Sequence, residues 1–300
     1  MTKLKRIVNR QEEKTLREIQ EISRKYEYNV YVKIRLADVL HIDGSGIESE
    51  YYSFSLKSHF DFLVCDMRQY PLFAIEFDGP THLEHHQTLR DQKKDTLCER
   101  FNLPLLRIKN NHLLKKYNKA SLLQWIISAW ELQKGFYAAQ TNGQIPIDED
   151  FDPVMLWHSG KTLEEIHPHW IALRPRLHIE KLHKTGQLPV RHTCSMTFTD
   201  EQENNRGIEW IDVEGGQVVY IESAMRKQQF PLYLGELFRE ILTVSLHEKL
   251  MHFLETGNGA VAPETVSCRL KELNEKYTFS GSFTGKTLVN FSLNPFIKNL

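Results

Sequence analysis

The sequence predicts a mixed α/β domain over residues 1–138, followed by a separate α+β domain over residues 139–300. In the first part, helical periodicity and short apolar runs alternate along the chain. In the second part, short strand-like segments precede a long amphipathic segment. A length of 300 residues is also typical of two domains. We therefore expect a mixed sheet flanked by helices in the first domain and a sheet with its own helices in the second.

The first domain begins with a helix over residues 10–25, because Leu16, Ile19 and Ile22 recur at helical spacing. A loop is expected over residues 41–50. A later helix should follow Asn110 and Asn111 as N-caps and reach about Lys134. The remaining elements are strands over 29–40, 59–66, 72–78 and 103–109, and a helix over 84–101.

The second domain contains a hairpin turn at residues 212–217, where acidic residues and two glycines separate two strand-like runs. Apolar residues at helical spacing predict a long helix over 232–255. The other expected elements are strands over 190–198, 207–213 and 217–223, then a short helix and a hairpin near 281–287.

Composition excludes several classes of protein. The formal net charge of −1 excludes a globally basic nucleic-acid binder, so any such binding needs a local basic patch. The four cysteines form no CxxC pair, which argues against a zinc ribbon or a disulfide framework. The chain has neither an apolar run near 18 residues nor an N-terminal apolar segment. We expect no membrane span, no secretory signal and a cytoplasmic location.

Two acidic residues, Asp61 and Glu76, interrupt apolar runs that are typical of buried strands. A buried carboxylate is costly unless a cation or hydrogen bonds accompany it. If the two strands form a hairpin, strand alternation places both carboxylates on one face. The expected cross-strand pairs are Asp61 with Glu76, Leu63 with Ala74, and Cys65 with Leu72.

A hard cation such as Mg²⁺ or Mn²⁺ fits these oxygen donors. Asp61 and Glu76 are the candidate metal ligands, with the backbone carbonyl of Phe77 as a third. Asp78 or His82 could orient a water molecule or accept its proton. A metal site of this kind indicates phosphodiester hydrolysis. The simpler interpretation makes Asp61 a turn-capping residue and Glu76 an ion-pair partner of a nearby arginine.

Four segments together carry a resemblance to a known family. Asp61, residues 75–82 (IEFDGPTH), residues 90–95 (RDQKKD) and residues 103–107 (LPLLR) resemble the PD-(D/E)XK nuclease superfamily. Within this superfamily, they resemble most the branch near the very-short-patch-repair endonucleases and a related bacterial domain of unknown function. The resemblance covers roughly residues 25–130. It implies a restriction-endonuclease-like fold in which Asp61 is the motif aspartate and Glu76 is the second acid.

One position departs from the superfamily pattern, because Asp78 stands where that pattern has lysine. Lys94 on the following helix could return an ammonium group to the site. Relatives of this branch that lack the lysine use a histidine shortly after the glycine, which corresponds here to His82. The superfamily often adds a glutamate from an early helix, and the candidates are Glu13, Glu18 and Glu21.

The leading hypothesis is a Mg²⁺-dependent deoxyribonuclease that acts in restriction, repair or anti-phage defence. The candidate nucleic-acid contacts are Arg90, Lys93, Lys94 and Arg107. Residues 139–300 would select substrate, dock a protein partner or form a homo-oligomer. Their candidate basic patch comprises Arg174, Arg176, Lys181 and Lys184. The alternatives are a catalytically inactive nuclease-fold subunit in a larger complex and, more weakly, a nuclease gated by a bound ligand.

Overall fold

The computed structural model describes residues 4, 6–78, 85–109, 113 and 115–291, without the side chains of residues 85–87. The chain divides into two compact units. The first comprises Met1–Pro153 with Gln228–Leu232, and the second comprises Val154–Lys227 with Tyr233–Leu300. The boundary expected after residue 138 falls inside the helix Leu122–Thr141.

In the first unit, five helices and six strands have both ends within the described residues. The helices are α1 (Arg10–Tyr26), α2 (Leu36–Val39), α3 (Ser49–Lys57), α4 (His85–Arg100) and α5 (Leu122–Thr141). The strands are β1 (Asn29–Arg35), β2 (His59–Cys65), β3 (Pro71–Phe77), β4 (Leu105–Ile108), β5 (Lys116–Tyr117) and β6 (Ala120–Ser121).

Strands β1 to β4 form one mixed sheet in the order β1-β2-β3-β4. The β1–β2 and β2–β3 pairs are antiparallel, whereas β3 and β4 are parallel. One face packs Leu63 and Ala74 against Leu97 of α4. On the other face, Phe73 makes an edge-to-face ring contact with Trp130 of α5. The expected mixed sheet flanked by helices is therefore confirmed.

The β2–β3 register confirms most of the expected pairing. Phe62 lies opposite Ile75 and Leu63 lies opposite Ala74. The expected pairing of Cys65 with Leu72 is wrong, because a register shift follows Val64 and Cys65 pairs with Pro71. The turn explains this shift: the carboxylate of Asp66 accepts from the backbone N–H groups of Arg68 and Tyr70 and tightens the chain.

Three boundaries differ from the expected ones. The strand predicted over 29–40 ends at Arg35, because Asp38 pairs with Arg35 and the chain turns into α2. Helix α3 begins at Ser49, inside the loop expected over residues 41–50, and continues through residues 51–57, for which no element was predicted. Helix α5 begins after Ser121, not after Asn110 and Asn111, because residues 116–121 form a small hairpin. Asn110 and Asn111 themselves lie outside the described residues.

The second unit contains an antiparallel sheet in the order β10-β7-β8-β9. The strands are β7 (Cys194–Thr199), β8 (Asn205–Val213), β9 (Gln217–Met225) and β10 (Thr278–Phe283). The helices are α6 (Leu163–Ile166), α7 (Leu173–Lys184), α8 (Gly235–Thr256) and α9 (Pro263–Lys276). The turn after β8 contains Gly215 at φ 77°, a conformation that favours glycine.

The second unit confirms the α+β class and the long helix expected over 232–255. The hairpin expected near residues 281–287 is wrong, because β10 pairs with β7 and supplies the edge of the sheet. Across the described parts of both units, no helix is long and apolar enough to cross a bilayer.

Candidate functional site

Four charged residues form a row that crosses the first sheet, one from each strand. The β1–β2 register pairs Val32 with Phe62 and Ile34 with Phe60, so the position of Lys33 between them is opposite Asp61. Continuing the β2–β3 register by one residue sets Asp61 opposite Glu76. Strand β3 then pairs Glu76 with Arg107 of β4. We refer to Lys33, Asp61, Glu76 and Arg107 as the charged row; it places the two acids between two cations.

The two central carboxylates are held together by the backbone. The Phe77 N–H donates to Asp61 Oδ2 at 2.9 Å, and the Asp61 N–H donates to Glu76 Oε1 at 3.3 Å. Glu76 is 5% exposed. Asp61 thus accepts a hydrogen bond from β3, and Glu76 accepts one from β2. The hairpin therefore brings the predicted pair together. Phe77 was expected to contribute its backbone carbonyl as a metal ligand. In the structure, it is the Phe77 N–H group that contacts the pair.

Each carboxylate of the pair has its own lysine. Lys33 Nζ lies 2.5 Å from Asp61 Oδ1 and 2.9 Å from an oxygen of Glu12. Lys94 Nζ lies 2.6 Å from Glu76 Oε2 and also donates to the carbonyl of His59 at 2.9 Å. The structure therefore brings Lys94 to the site, as its position on the helix suggested, and adds Lys33, which no sequence pattern indicated.

Lys33 has an unusual backbone for a residue inside a strand. Its φ is 53°, in the left-handed region that costs a residue with a Cβ about 1–2 kcal/mol. Strained residues of this kind persist only where their surroundings hold them, and they cluster at functional sites. The Lys33 side chain is 32% exposed. Lys33 therefore combines backbone strain, an acidic partner and access to solvent.

The early-helix glutamate at the site is Glu12, and none of the three predicted candidates reaches the row. Glu12 follows the N-cap residue Asn9 and forms a capping box with it, which leaves one carboxylate oxygen for Lys33. The predicted candidates have partners elsewhere: Glu13 pairs with Arg6 and Arg17, Glu18 with Lys116, and Glu21 with Gln124. The spacing Asn9-x-x-Glu12 was the signal that could have identified Glu12.

Arg107 lies at the opposite end of the charged row, where it contacts three aspartates. Its guanidinium is 3.2 Å from Asp78 Oδ1, 3.2 Å from Asp91 Oδ1 and 2.7 Å from Asp95 Oδ1. The side chain is 4% exposed. Asp78 thus forms an ion pair with the buried Arg107. This pairing accounts for an acidic residue at position 78. The expected nucleic-acid contact of Arg107 does not fit its burial.

The electrostatics of the site follow from burial and charge. Burial raises the pKa of Glu76 to about 7; Lys94 opposes this shift and Asp61 adds to it. Burial alone would lower the pKa of Lys33, but hydrogen bonds from its ammonium group to Asp61 and Glu12 outweigh it and raise that pKa. The acid pair therefore favours a bound cation, and Lys33 stays charged at neutral pH.

The remaining predicted residues have different surroundings. Arg90 is exposed on α4. Lys93 pairs with Glu50 and lies 5.9 Å from the ring centre of Phe54. His82 lies outside the described residues. Of the four predicted nucleic-acid contacts, Arg90 and Lys93 are accessible, whereas Lys94 and Arg107 are inside the protein.

The donors at Asp61 and Glu76 fit a hard divalent cation such as Mg²⁺ or Mn²⁺ better than a metal that prefers thiolate or imidazole ligands, such as Zn²⁺. Both are carboxylate oxygens, and both already attract ammonium groups at hydrogen-bond distance. Within the described ranges, no three His, Cys, Asp or Glu side chains are placed to hold a metal ion together. A site with two protein carboxylates suits Mg²⁺, which keeps several of its water ligands.

Comparison with known proteins gives one match. Residues 4–124 are similar to a family described as a protein of unknown function (DUF2726). No curated protein and no solved structure matches the chain. The matched region ends in the first turn of α5 and includes the whole charged row.

Proposed function

We propose that this protein is a Mg²⁺- or Mn²⁺-dependent endonuclease that cleaves DNA, and that its first unit has a restriction-endonuclease-like fold. The observation that carries the proposal is the Asp61–Glu76 pair, which two backbone hydrogen bonds hold on adjacent strands of the sheet. The motif string around this pair and the mixed sheet flanked by helices support the same assignment.

Asp61 and Glu76 would hold the metal ion. When bound, the ion would polarise a phosphate and lower the pKa of a coordinated water molecule. The row supplies what the metal needs from the protein: two anionic oxygens, fixed by the backbone, on a strand pair that is buried on both faces. Asp78 holds Arg107, and Arg107 closes the row beside Glu76.

Lys33 is the cation that we assign to the substrate. Lys94 is 8% exposed and donates to both Glu76 and a backbone carbonyl, so we assign it to neutralising the buried acid. Lys33 is more accessible, has a strained backbone, and places its ammonium group beside Asp61. It can contact a phosphate oxygen or the attacking water once a metal ion shares Asp61. It therefore takes the place of the lysine that position 78 lacks.

A second candidate function is a nuclease-fold subunit that binds nucleic acid or a protein partner without cutting. The observation that favours it is that two ammonium groups already neutralise the acid pair. In an inactive descendant, such ion pairs would replace the metal permanently. The net charge of −1 also agrees with a protein that works within a larger complex.

A cleavage assay separates the two functions. Plasmid, linear duplex, single-stranded DNA and RNA are incubated with Mg²⁺, Mn²⁺ or Ca²⁺ and the purified protein. We expect wild type to cut DNA with Mg²⁺ or Mn²⁺, Asp61→Asn to abolish cutting, and Lys33→Met to slow it roughly a hundredfold. The matched control is Asp38→Asn, an exposed aspartate in an ion pair outside the row, which should cut as wild type does.

Thermal melts by circular dichroism establish that each variant is folded. A wild-type protein that cuts no substrate with any metal would overturn the nuclease and leave the binding subunit. Undiminished cutting by folded Asp61→Asn would assign the activity to other residues.

A further inference from the structure

We propose that the second unit carries a cleft that binds the phosphodiester backbone of a single nucleic-acid strand. The cleft has a volume of about 520 Å³, and residues of α6, α7 and α8 line it. It is separate from the charged row in the chain and in its chemistry, because its lining is mostly apolar and basic, although Glu164 contributes a carboxylate. The inference deepens the proposed function, since it names what the second unit would hold, and its tests can fail independently.

One face of α7 gives the cleft a positive charge. Arg174, His178 and Lys181 are four and three residues apart, a spacing that places them on one side of a helix. No carboxylate in the described part of the chain forms an ion pair with Lys181. Arg174 pairs with Glu164, but its side chain is largely exposed, so a phosphate could compete for it at little cost. The cleft therefore presents one unpaired ammonium group and one weakly held guanidinium.

Two imidazoles meet inside the cleft. His178 Nδ1 lies 2.9 Å from His247 Nε2, and the ring centres are 5.1 Å apart. A hydrogen bond between them requires one ring to donate and the other to accept. The ring that accepts in this bond carries its own N–H on its other nitrogen, which is left to donate to a phosphate oxygen. The pair thus adds an N–H donor to the two cations of α7.

Apolar surface beside the cations favours a single strand. Leu163 and Leu177 line the cleft, and both are exposed. Trp157 is not part of the cleft lining, but it is 80% exposed, and its ring centre lies 5.1 Å from that of His167, the residue that follows α6. Unpaired bases stack on exposed aromatic rings such as that of Trp157. A duplex keeps its bases paired and offers only its backbone, so it would leave this surface unused.

Fluorescence anisotropy with a short labelled oligonucleotide tests the proposal on the full chain, with EDTA present to prevent cleavage. We expect wild type to bind single-stranded DNA, Lys181→Glu to weaken binding at least about tenfold and reduce its salt dependence, and Trp157→Ala to weaken it by about tenfold or more. Lys184→Glu is the matched control: it has the same charge change on the same helix, but Lys184 pairs with Glu180 and does not line the cleft. It should stay within about twofold of wild type.

Three results would overturn the proposal: no binding by wild type, equal losses in Lys181→Glu and Lys184→Glu, or tighter binding of duplex than of single strand. Asp38→Asn should bind the oligonucleotide as wild type does, because Asp38 belongs neither to the charged row nor to the cleft lining. If wild type binds through Lys181 but cuts nothing, the nuclease assignment fails and the cleft stands. If wild type cuts DNA and Lys181→Glu binds normally, the cleft fails and the nuclease stands.

Discussion

Glu76 is a buried carboxylate. Its protonation state affects both the stability of the fold and the binding of a metal ion at the site. Its pKa rises from an ordinary value of 4.5 to about 7, first because of burial. Since the folded value is the higher one, the stability that Glu76 contributes is fully present below about pH 4.5 and is lost as the pH rises through about 7. Metal binding has the opposite dependence, because a cation coordinates the deprotonated carboxylate.

The first prediction concerns this opposite dependence. Mn²⁺ affinity should rise by up to about tenfold per pH unit between about pH 5.5 and 7, and level off above that range. Glu76→Gln should weaken Mn²⁺ binding and flatten the profile, because the titrating group is gone. Calorimetric titrations at several pH values measure both effects. A wild-type affinity that stays constant between pH 5.5 and 7 would contradict the assignment of Glu76 as a ligand.

At the scale of single residues, the sequence identified the acids of the site but not all their partners. Asp61 and Glu76 stand out because a carboxylate inside an apolar run is costly. Lys33 does not stand out in the sequence, because it lies on the polar side of an alternating strand and resembles a solvent-facing residue there. Glu12 was missed because its role depends on where α1 begins. Both roles depend on backbone geometry that composition does not reveal.

At the scale of elements, strand pairing in the sheet brings residues from separate segments of the sequence together in one site. Apolar runs predicted β2 and β3, and their pairing aligns Asp61 with Glu76. The start of α5 was misplaced, because two asparagines resemble N-caps as well as Ser121 does. Ser121 is the true N-cap: its hydroxyl accepts from the Gln124 N–H, and the Gln124 side chain accepts from the Ser121 N–H. Cap residues of equal propensity are distinguished only by the fold around them.

The second prediction tests this cap. Ser121→Ala should lower the free energy of unfolding by about 1 kcal/mol, because the first turn of α5 loses a hydrogen-bond acceptor inside the protein. Urea unfolding followed by circular dichroism measures the change. Thr141→Ala, at the exposed end of the same helix, is the control and should change stability by less than about 0.5 kcal/mol. Equal effects of the two changes would show that the cap does not fix the start of α5.

At the scale of the whole molecule, the first unit is completed by a distant segment of the chain. Gln229 pairs with Leu105 at the free edge of β4, and the Arg107 N–H donates to the Gln228 side chain. The Phe230 ring contacts Phe73 and Trp130 at 5.5 and 5.3 Å between centres. Sequence patterns are local, so they could not predict a contact between residues 107 and 228. The same limit explains why the two-domain expectation lacked this segment.

The third prediction concerns this segment. Phe230→Ala should destabilise the protein by about 3–5 kcal/mol, because it empties a buried aromatic cluster. Tyr233→Ala, a nearby exposed aromatic, should cost less than about 0.5 kcal/mol. Thermal and urea unfolding of both variants measure the difference. If Phe230→Ala is as stable as Tyr233→Ala, residues 228–232 do not hold the first unit together.

Titration of Mn²⁺ into metal-free protein by isothermal calorimetry measures most directly whether the Asp61–Glu76 pair holds a divalent cation. We expect wild type to bind one Mn²⁺ at neutral pH, Asp61→Asn to lose that site, and Asp38→Asn to keep it with unchanged affinity. A wild-type protein without a Mn²⁺ site, or a folded Asp61→Asn variant that binds Mn²⁺ as tightly as wild type, would contradict the proposed metal site.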